Sequence, residues 1–279
     1  MQTFKFSKMH GAGNDYIYVN CFEEKVENIN ETAKAVSDRH FGIGGDGIIL
    51  VCPSKVADAK MKMYNLDGSE GKMCGNGIRC VGKFLYDHGM VDINEKDEIT
   101  IETLSGIKKL KAYTSGGKVN RLRVDMGKAI LDPKEIPVVL DGDKAVEIAG
   151  KNYNITCVSM GNPHCVVFMD DIDNLDIETV GPEFENDKLF PERVNTEFVT
   201  VLDDHTIKMR VWERGSGETW ACGTGACAVA VAACENGFCK KGEDIKIKLK
   251  GGDLIINYTD ETVYMTGNAE KVFEGEVEV

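Results

Sequence analysis

Two cysteines occur in the same short motif at two distant places in the chain. The motifs are Cys74-Gly75-Asn76-Gly77 and Cys222-Gly223-Thr224-Gly225, separated by 148 positions (222 minus 74). A helical pattern follows each motif, which predicts that the cysteine lies at the N-terminus of a helix. The N–H groups and the dipole at such an end favour negative charge and lower a thiol pKa toward neutrality. Each motif therefore predicts a cysteine that can act as a base or a nucleophile.

The offset of 148 positions recurs elsewhere and indicates a duplicated half. Two matched thiols on opposite sides of one carbon could invert its configuration, because one thiolate removes a proton while the opposite thiol delivers another. The further pairs at this offset are Asn14 with Asn162 (162 minus 14), Glu70 with Glu218 (218 minus 70) and Gly89 with Gly237 (237 minus 89).

Short alternating or β-branched segments predict many strands in both halves. The helix that contains Ala226 to Ala233 is apolar nearly all round, which is typical of a helix inside a sheet or barrel. We therefore expect an α+β fold with much antiparallel sheet, and a linker at Asp132 to Pro137. The predicted strands are Phe4 to Met9, Tyr16 to Asn20, Ala59 to Asn65, Ile99 to Thr103 and Val119 to Val124, then Tyr153 to Val158, Cys165 to Phe168, Glu197 to Val201, Thr206 to Trp212, Ile245 to Leu249 and Leu254 to Tyr258.

Composition excludes several partners. The formal net charge of -13 opposes a nucleic-acid surface, because phosphate binding needs clustered Lys and Arg. The small apolar run from Ala226 to Cys234 is far too short for a membrane-spanning helix, and the N-terminus does not resemble a secretory signal. We therefore expect a cytoplasmic protein whose ten cysteines are thiols.

Other uses of the cysteines explain the pattern less well. Cys74 with Cys80, or Cys222 with Cys227, could bind metal, but five and four residues separate the pairs, a wider spacing than structural zinc usually has. A hydrolase with His164 as base needs one nucleophile and leaves the repeat unexplained. We expect no metal, and we expect the remaining cysteines to be core residues. The glycine-rich run from Gly42 to Gly47 is predicted to be a tight turn between a helix and a strand.

The chain resembles the diaminopimelate epimerase family over essentially its whole length. So many motifs in the same order make the resemblance specific. The motifs that carry it are His10 to Asp15, Asn65 to Glu70, Met73 to Cys80, Met160 to His164, Arg193 to Asn195, Trp212 to Thr219 and Ala221 to Gly225.

The resemblance implies a cofactor-independent epimerase that interconverts LL- and meso-diaminopimelate in lysine and cell-wall precursor synthesis. In one direction Cys74 would accept the proton and Cys222 would donate one, supported by His164 and Glu213. The backbone of four residues would hold the α-carboxylate, and six side chains would contact the substrate. The backbone contacts would come from Gly75, Asn76, Gly223 and Thr224. The side-chain contacts would come from Asn14, Asn65, Asn162, Asn195, Glu213 and Arg214.

The resemblance also implies an architecture: two pseudo-symmetric domains, each a mostly antiparallel sheet or barrel wrapped around a central helix. The first domain would comprise residues 1–130 with the C-terminal segment at about 266–279, and the second residues 131–265. Homodimers are usual in this family. Some members have a substrate-contacting Gln where this chain has Gly47. The offset pairs Gly47 with Asn195 and Asn65 with Glu213, which suggests that the halves diverged to bind an asymmetric ligand.

Two rival functions differ in what they require. A two-thiol racemase acting on proline or hydroxyproline would have a smaller substrate, which needs no distal polar set such as Asn65, Asn195 and Arg214. A thiol-based redox or metal-binding protein would hold metal or a working disulfide. The sequence favours the epimerase.

Overall fold

The computed structural model describes residues 1–96, 98–140 and 145–279. Contacts within the chain divide it into two compact units, Met1–Asp125 with Thr266–Val279, and Met126–Met265. Ile136 and Val138, in and just after the predicted linker, are buried in the core of the second unit.

The first unit is a sheet around one helix. Its helices are α1 (Ile29–Ser37) and α2 (Gly75–Asp87), and its strands are β1 (Thr3–Gly11), β2 (Asn14–Asn20), β3 (Gly47–Cys52), β4 (Ala59–Asn65), β5 (Glu70–Gly71), β6 (Ile99–Thr103), β7 (Gly106–Ser115), β8 (Lys118–Asp125) and, from the C-terminus, β18 (Glu270–Glu278). Hydrogen-bonded neighbours run in the order β18, β1, β2, β3, β4, β6, β7, β8. Only the pairs β2 with β3 and β4 with β6 are parallel within this series. Helix α2 packs on β1, β2, β6, β7 and β8 and is therefore the central helix.

The second unit repeats this plan. Its helices are α3 (Ile177–Glu185) and α4 (Gly223–Glu235), and its strands are β9 (Ala145–Ile148), β10 (Lys151–Ser159), β11 (Pro163–Phe168), β12 (Asn195–Asp203), β13 (Thr206–Glu213), β14 (Gly217–Thr219), β15 (Asp244–Leu249) and β16 (Gly252–Tyr258); β17 (Val263–Asn268) starts in this unit and ends in the first. The order of paired strands is β9, β10, β11, β12, β13, β15, β16. Helix α4 packs on β10, β11, β12, β15 and β16.

The repeat extends through whole elements. Strand β10 starts 148 positions after β1 (151 minus 3), α3 starts 148 after α1 (177 minus 29), and α4 starts 148 after α2 (223 minus 75). All three pairs also end at that offset. The register is lost beyond the central helices, since β15 starts 145 positions after β6 (244 minus 99). The parts that position the two cysteines are thus the parts that kept their length.

The predicted α+β class with mostly antiparallel sheet is confirmed, and so are the helices that follow each Cys-Gly motif. Ile78, Val81 and Leu85 are fully buried on α2. Both central helices end as predicted, because His88 and Asn236 are the C-caps and the glycines after them, Gly89 and Gly237, have positive φ values of 66° and 77°.

Small side chains let α4 lie inside its sheet. Ala226, Ala228, Ala230, Ala232 and Ala233 are all fully buried. A larger side chain there has no space to occupy, since interiors are packed as densely as organic crystals.

We predict that Ala230→Leu destabilises the protein by about 1–3 kcal/mol through overpacking. The measurement is the free energy of unfolding in urea. The matched control is Ala35→Leu on the exposed face of α1, which should change that free energy little. Equal effects of the two substitutions would contradict the placement of α4.

Candidate active site

Each motif cysteine caps its helix. Cys74 is the N-cap of α2 with extended backbone (φ −126°, ψ 120°), and Cys222 is the N-cap of α4 with nearly the same backbone (φ −116°, ψ 109°). Each sulfur accepts a hydrogen bond from the N–H of the third residue on, Gly77 at 3.3 Å and Gly225 at 3.4 Å. The N-cap position normally favours Ser, Thr, Asp or Asn for the same reason, an acceptor directed at these N–H groups.

Around Cys74 the contacts are the amide of Asn14 and the phenol of Tyr16. The thiol of Cys74 donates to Asn14 Oδ1 at 3.1 Å, and Asn14 Nδ2 donates to Asp46 at 2.6 Å. Asn14 follows a two-residue turn, Ala12 and Gly13, whose φ values of 54° and 83° suit the tight hairpin between β1 and β2. The turn therefore fixes the residue that contacts the sulfur.

Asp46 belongs to a charged cluster with Asp15, Lys8 and Arg39. Lys8 and Arg39 lie 2.6 Å and 2.7 Å from the Asp15 carboxylate, and Arg39 lies 2.9 Å from Asp46. Burial raises the pKa of Asp15, but hydrogen bonds from Arg39 and Lys8 outweigh it and lower that pKa overall. Burial and the charge of Asp15 raise the pKa of Asp46. The cluster therefore holds the Asp46 carboxylate, which accepts the hydrogen bond from Asn14 Nδ2.

Two other predicted residues of the first unit have polar partners within that unit. Asn65 donates from Nδ2 to Ser69 Oγ at 3.0 Å. The side chain of Asn76 is buried and accepts from Arg79 Nη2 at 3.0 Å through Oδ1. Arg79, itself fully buried, also donates to Gly75 O and to Asn268 O.

Around Cys222 the environment is acidic and closed. Only 5% of Cys222 is exposed. Burial raises the pKa of its thiol well above the usual range, and the nearby charges of Glu213 and Glu197 raise it further, whereas contacts with Thr224 and the N–H of Gly225 lower it. Burial and the two carboxylates therefore favour the thiol form of Cys222 over the thiolate.

A chain of hydrogen bonds runs beside Cys222. Glu197 Oε1 lies 2.7 Å from His164 Nδ1, and His164 Nε2 lies 3.1 Å from Asn162 Oδ1. Asn162 Nδ2 then donates to Thr224 Oγ1 at 3.4 Å, and that hydroxyl is 3.5 Å from Cys222 Sγ. The structure thus brings together the predicted residues His164, Asn162, Thr224 and Cys222.

The remaining predicted residues of the second unit form a neighbouring group. Asn195 is buried, donates to Pro163 O at 3.0 Å and accepts from the backbone N–H of Arg214 at 3.0 Å. Arg214 Nη1 donates to Glu192 O at 2.9 Å. Glu213 accepts a short hydrogen bond from Thr219 Oγ1. Asn195 therefore holds the backbone that carries Glu213 and Arg214.

Glu197 is the residue that we did not predict from the sequence. It is fully buried on β12, beside the parallel strand β11 that carries His164. One signal was present: the 148 offset pairs Glu197 with Ile49 (197 minus 148), so an acid replaces a core residue of the first half.

Three side chains near α4 have atoms of the kind that bind metal ions. Ligand atoms of His164, Glu197 and Cys222 all lie within 4.8 Å of one another, in the part of the chain that the structure describes. Two ligands of a tetrahedral zinc ion lie about 3.3 Å apart, given bonds of about 2.0 Å. The 2.7 Å separation between His164 Nδ1 and Glu197 Oε1 is instead a hydrogen-bond distance.

Comparison with known proteins decides the family. The diaminopimelate epimerase family model matches residues 6–131 and 156–272. The chain belongs to the diaminopimelate epimerase family. Diaminopimelate epimerases of Acetivibrio thermocellus and Methanococcus maripaludis are 56% and 54% identical to it, with 99% of this chain covered and 99% and 100% of the relatives. The resemblance drawn from the sequence motifs is confirmed.

Solved structures with low sequence identity share the fold. A probable proline racemase from Agrobacterium radiobacter superposes with a TM-score of 0.74 at 14% identity, covering 99% of this chain and 93% of the other. A hydroxyproline epimerase from Agrobacterium vitis gives 0.70 at 16% identity, covering 99% and 92%. The epimerase family therefore shares its architecture with racemases of other substrates. Among the described residues, no helix is both long and apolar enough to cross a membrane.

At Gly47 the structure explains the missing side chain. A Cβ there would lie 2.1 Å from Tyr64 O, and φ is 155°. The backbone of β3 in this chain therefore leaves no space for a side chain at position 47.

We predict that Glu213→Gln moves the alkylation of Cys222 to lower pH. The negative charge of Glu213 raises the pKa of Cys222. Its removal therefore increases the thiolate fraction at any given pH. The measurement is the rate of iodoacetamide modification across a pH series, resolved by peptide mass spectrometry. Cys239 is the internal control, since burial and Asp204 raise its pKa to about 11. An unchanged Cys222 curve would contradict this prediction.

A second thiol prediction concerns Cys52, the last residue of β3, which lies beside Cys21 just after the end of the parallel neighbour β2. A hydrogen bond from Cys21 outweighs burial and, with Lys62 and Lys60, lowers the pKa of Cys52 to about 7. We expect iodoacetamide to modify the half-buried Cys52 near neutral pH, well before Cys80, whose pKa burial raises to about 11. The same mass spectrometry gives both rates, and faster modification of Cys80 would contradict the prediction.

Proposed function

We propose that this protein epimerises LL- and meso-diaminopimelate, with Cys74 and Cys222 as the two proton-transferring groups. The observation that carries the proposal is the matched pair of cysteine N-caps on two repeated central helices, in a chain of the diaminopimelate epimerase family. Inversion needs an acid and a base on opposite faces of one carbon, and a duplicated site supplies one from each half.

The proton balance assigns roles for one direction. Cys74, as thiolate, takes the α-proton and becomes a thiol, and Cys222 gives its proton to the opposite face and becomes a thiolate. In the reverse direction the roles exchange. The raised pKa of Cys222 supports the donor role, because a group must hold its proton in order to deliver it. No electron is gained or lost, so proton transfer between the thiols completes the step without a cofactor.

The helix ends would stabilise the charge that develops when the proton leaves. Backbone N–H groups at Gly75, Asn76, Gly223 and Thr224 precede the helical ladders, which begin with the bonds from Ile78 to Cys74 O and from Ala226 to Cys222 O. N–H groups at helix N-termini bind carboxylates and stabilise negative charge there. We propose that they hold the α-carboxylate and lower the barrier to forming a carbanion beside it.

The polar groups near each cysteine would select a substrate with a second ammonium and carboxylate. We assign this contact to Asn14, Asn65, Asn162, Asn195, Glu213 and Arg214, with His164 and Glu213 supporting the thiols. Arg suits a carboxylate because it donates two parallel hydrogen bonds. Family resemblance alone supports a further proposal, a homodimeric assembly, and the sequence features described above support another, a cytoplasmic location.

Incubation of the purified protein with LL-diaminopimelate in deuterated water tests the function. We expect the meso isomer with deuterium at the inverted carbon, because the delivered proton comes from a thiol that exchanges with solvent. Nuclear magnetic resonance and chiral chromatography measure the two outcomes. Proline and hydroxyproline should be unchanged; their racemisation in place of diaminopimelate would establish the rival function.

We predict that Cys74→Ala and Cys222→Ala each lower the epimerisation rate by about 10²–10⁴-fold, since each removes one acid–base group. Cys80→Ala and Cys227→Ala are the matched controls, because these cysteines lie on the same two helices and are fully buried in the core. The controls should keep most of the activity. Near wild-type turnover in either of the first two variants would exclude the two-thiol assignment.

A further inference from the structure

Glu197 is a buried acid with an incomplete set of partners. It is fully buried, and one of its oxygens, Oε2, has no hydrogen-bond partner among the residues that the structure describes. The other oxygen lies 2.7 Å from His164 Nδ1. A buried carboxyl group costs free energy unless it is well paired, so its presence beside Cys222 needs a reason.

The hydrogen-bond chain fixes the number of protons on the pair formed by His164 and Glu197. Asn162 Nδ2 donates to Thr224, which leaves Asn162 Oδ1 as the acceptor facing His164 Nε2. Nε2 must therefore carry a hydrogen. One more proton lies between Nδ1 and Glu197 Oε1, since two acceptors would not approach to 2.7 Å. The pair therefore has no net charge, whichever atom holds that proton.

The net charge of the His164–Glu197 pair affects the ionisation of the neighbouring Cys222. Glu213 and Cys222 lie near it, and the Cys165 thiol is also influenced by Glu197. Burial raises the pKa of Glu197, while the charge and hydrogen bond of His164 lower it. A second unpaired negative charge beside Glu213 would oppose formation of a thiolate at Cys222. Pairing with His164 offsets that charge and so limits how far Glu197 raises the pKa of Cys222.

The repeat shows that packing does not require the acid. Ile49 occupies the matching position in the first half, and Tyr16 matches His164 (164 minus 148). A Cβ on Gly77 would lie 2.8 Å from Ile49 Cδ1, and one on Gly225 would lie 2.5 Å from Glu197 Oε1. Both side chains thus pack under the first turn of a central helix. An isoleucine already performs the packing, so the glutamate has another role.

We propose that Glu197 is a positioning residue, which holds the His164 ring by its Nδ1 so that Nε2–H donates to Asn162 and fixes the chain that ends at Cys222. The proposal rests on the proposed function, because the chain ends at the assigned proton donor. Its effect is indirect: Glu197 acts through His164.

Two substitutions separate orientation from packing and charge. Glu197→Gln keeps the length and can donate to Nδ1, so His164 keeps Nε2–H, and the pair stays neutral. Glu197→Ile copies the first half and fills the space but has no polar group. We expect kcat to fall about 10–100-fold in Glu197→Ile, as for other residues that orient an active-site group, with KM little changed. Glu197→Gln should stay within several-fold of wild type.

Stability and spectroscopy distinguish this role from a structural one. Glu197→Ile removes one member of a buried pair and leaves His164 Nδ1 without it, so the urea midpoint should fall. Kinetics and spectra are therefore compared at a temperature where far-UV circular dichroism shows all variants fully folded, and a loss of kcat in the folded variant is then not a loss of stability. In protein with ¹⁵N-labelled histidine, we expect the Nε2–H signal of His164 in wild type and Glu197→Gln, and its loss or a large shift in Glu197→Ile. The same two substitutions at Glu243, whose carboxylate faces the exposed His205 at 3.6 Å, are the matched controls.

Three results would overturn the proposal: full kcat in Glu197→Ile, equal inactivity of the Gln and Ile variants, or an unchanged His164 signal in Glu197→Ile. Failure of the proposed function is distinguishable from these results. If wild type does not epimerise diaminopimelate, the kinetic comparison ends, but the His164 signal still reports whether Glu197 orients the ring.

Discussion

The site depends on one interaction, the hydrogen bond from the third N–H of a buried helix to the sulfur of its cysteine N-cap. It requires extended backbone at Cys74 and Cys222 and a glycine at Gly77 and Gly225, where a side chain would strike the strand beneath. The sulfur is therefore fixed relative to the N–H groups that can bind an anion. A proton-transferring group gains from this, since a small displacement of reacting groups is costly in rate.

Duplication supplied the geometry, and later divergence made the two thiols unequal. Cys74 is half-buried beside an amide and a phenol, and the nearby charges of Lys8, Arg39 and two aspartates largely pair with one another. Cys222 is closed in beside two glutamates and a histidine. The bounds of three element pairs, β1 with β10, α1 with α3 and α2 with α4, keep the offset at both ends, so the difference between the thiols lies in the side chains more than in the backbone plan.

Local patterns predicted the elements that have a clear period or a clear end. Strands at Ala59–Asn65 and Ile99–Thr103, and both central helices with their terminal glycines, follow directly from alternation, glycine position and the repeat. Helix α1 and strand β3 were expected only as a helix and a strand on either side of the Gly42–Gly47 turn, without bounds; β3 is buried along nearly its whole length and so does not alternate. Most of the proposed site rests on the motifs, whereas Glu197 contacts His164 because β11 and β12 pair in parallel, a register that no local pattern contains.

The presence of an acid under only one of the two helices follows from the energetics of buried charge. For a carboxylate in place of Ile49, the residue that the repeat matches to His164 is Tyr16, a buried phenol whose pKa burial and Cys74 already raise and which brings no positive charge. Desolvation would then neutralise it or destabilise the unit. At Glu197 the matching position holds a histidine in place of the phenol, so the acid obtains a proton and a partner. The two replacements are therefore coupled: the acid is tolerable only with the histidine, and the histidine is oriented only with the acid.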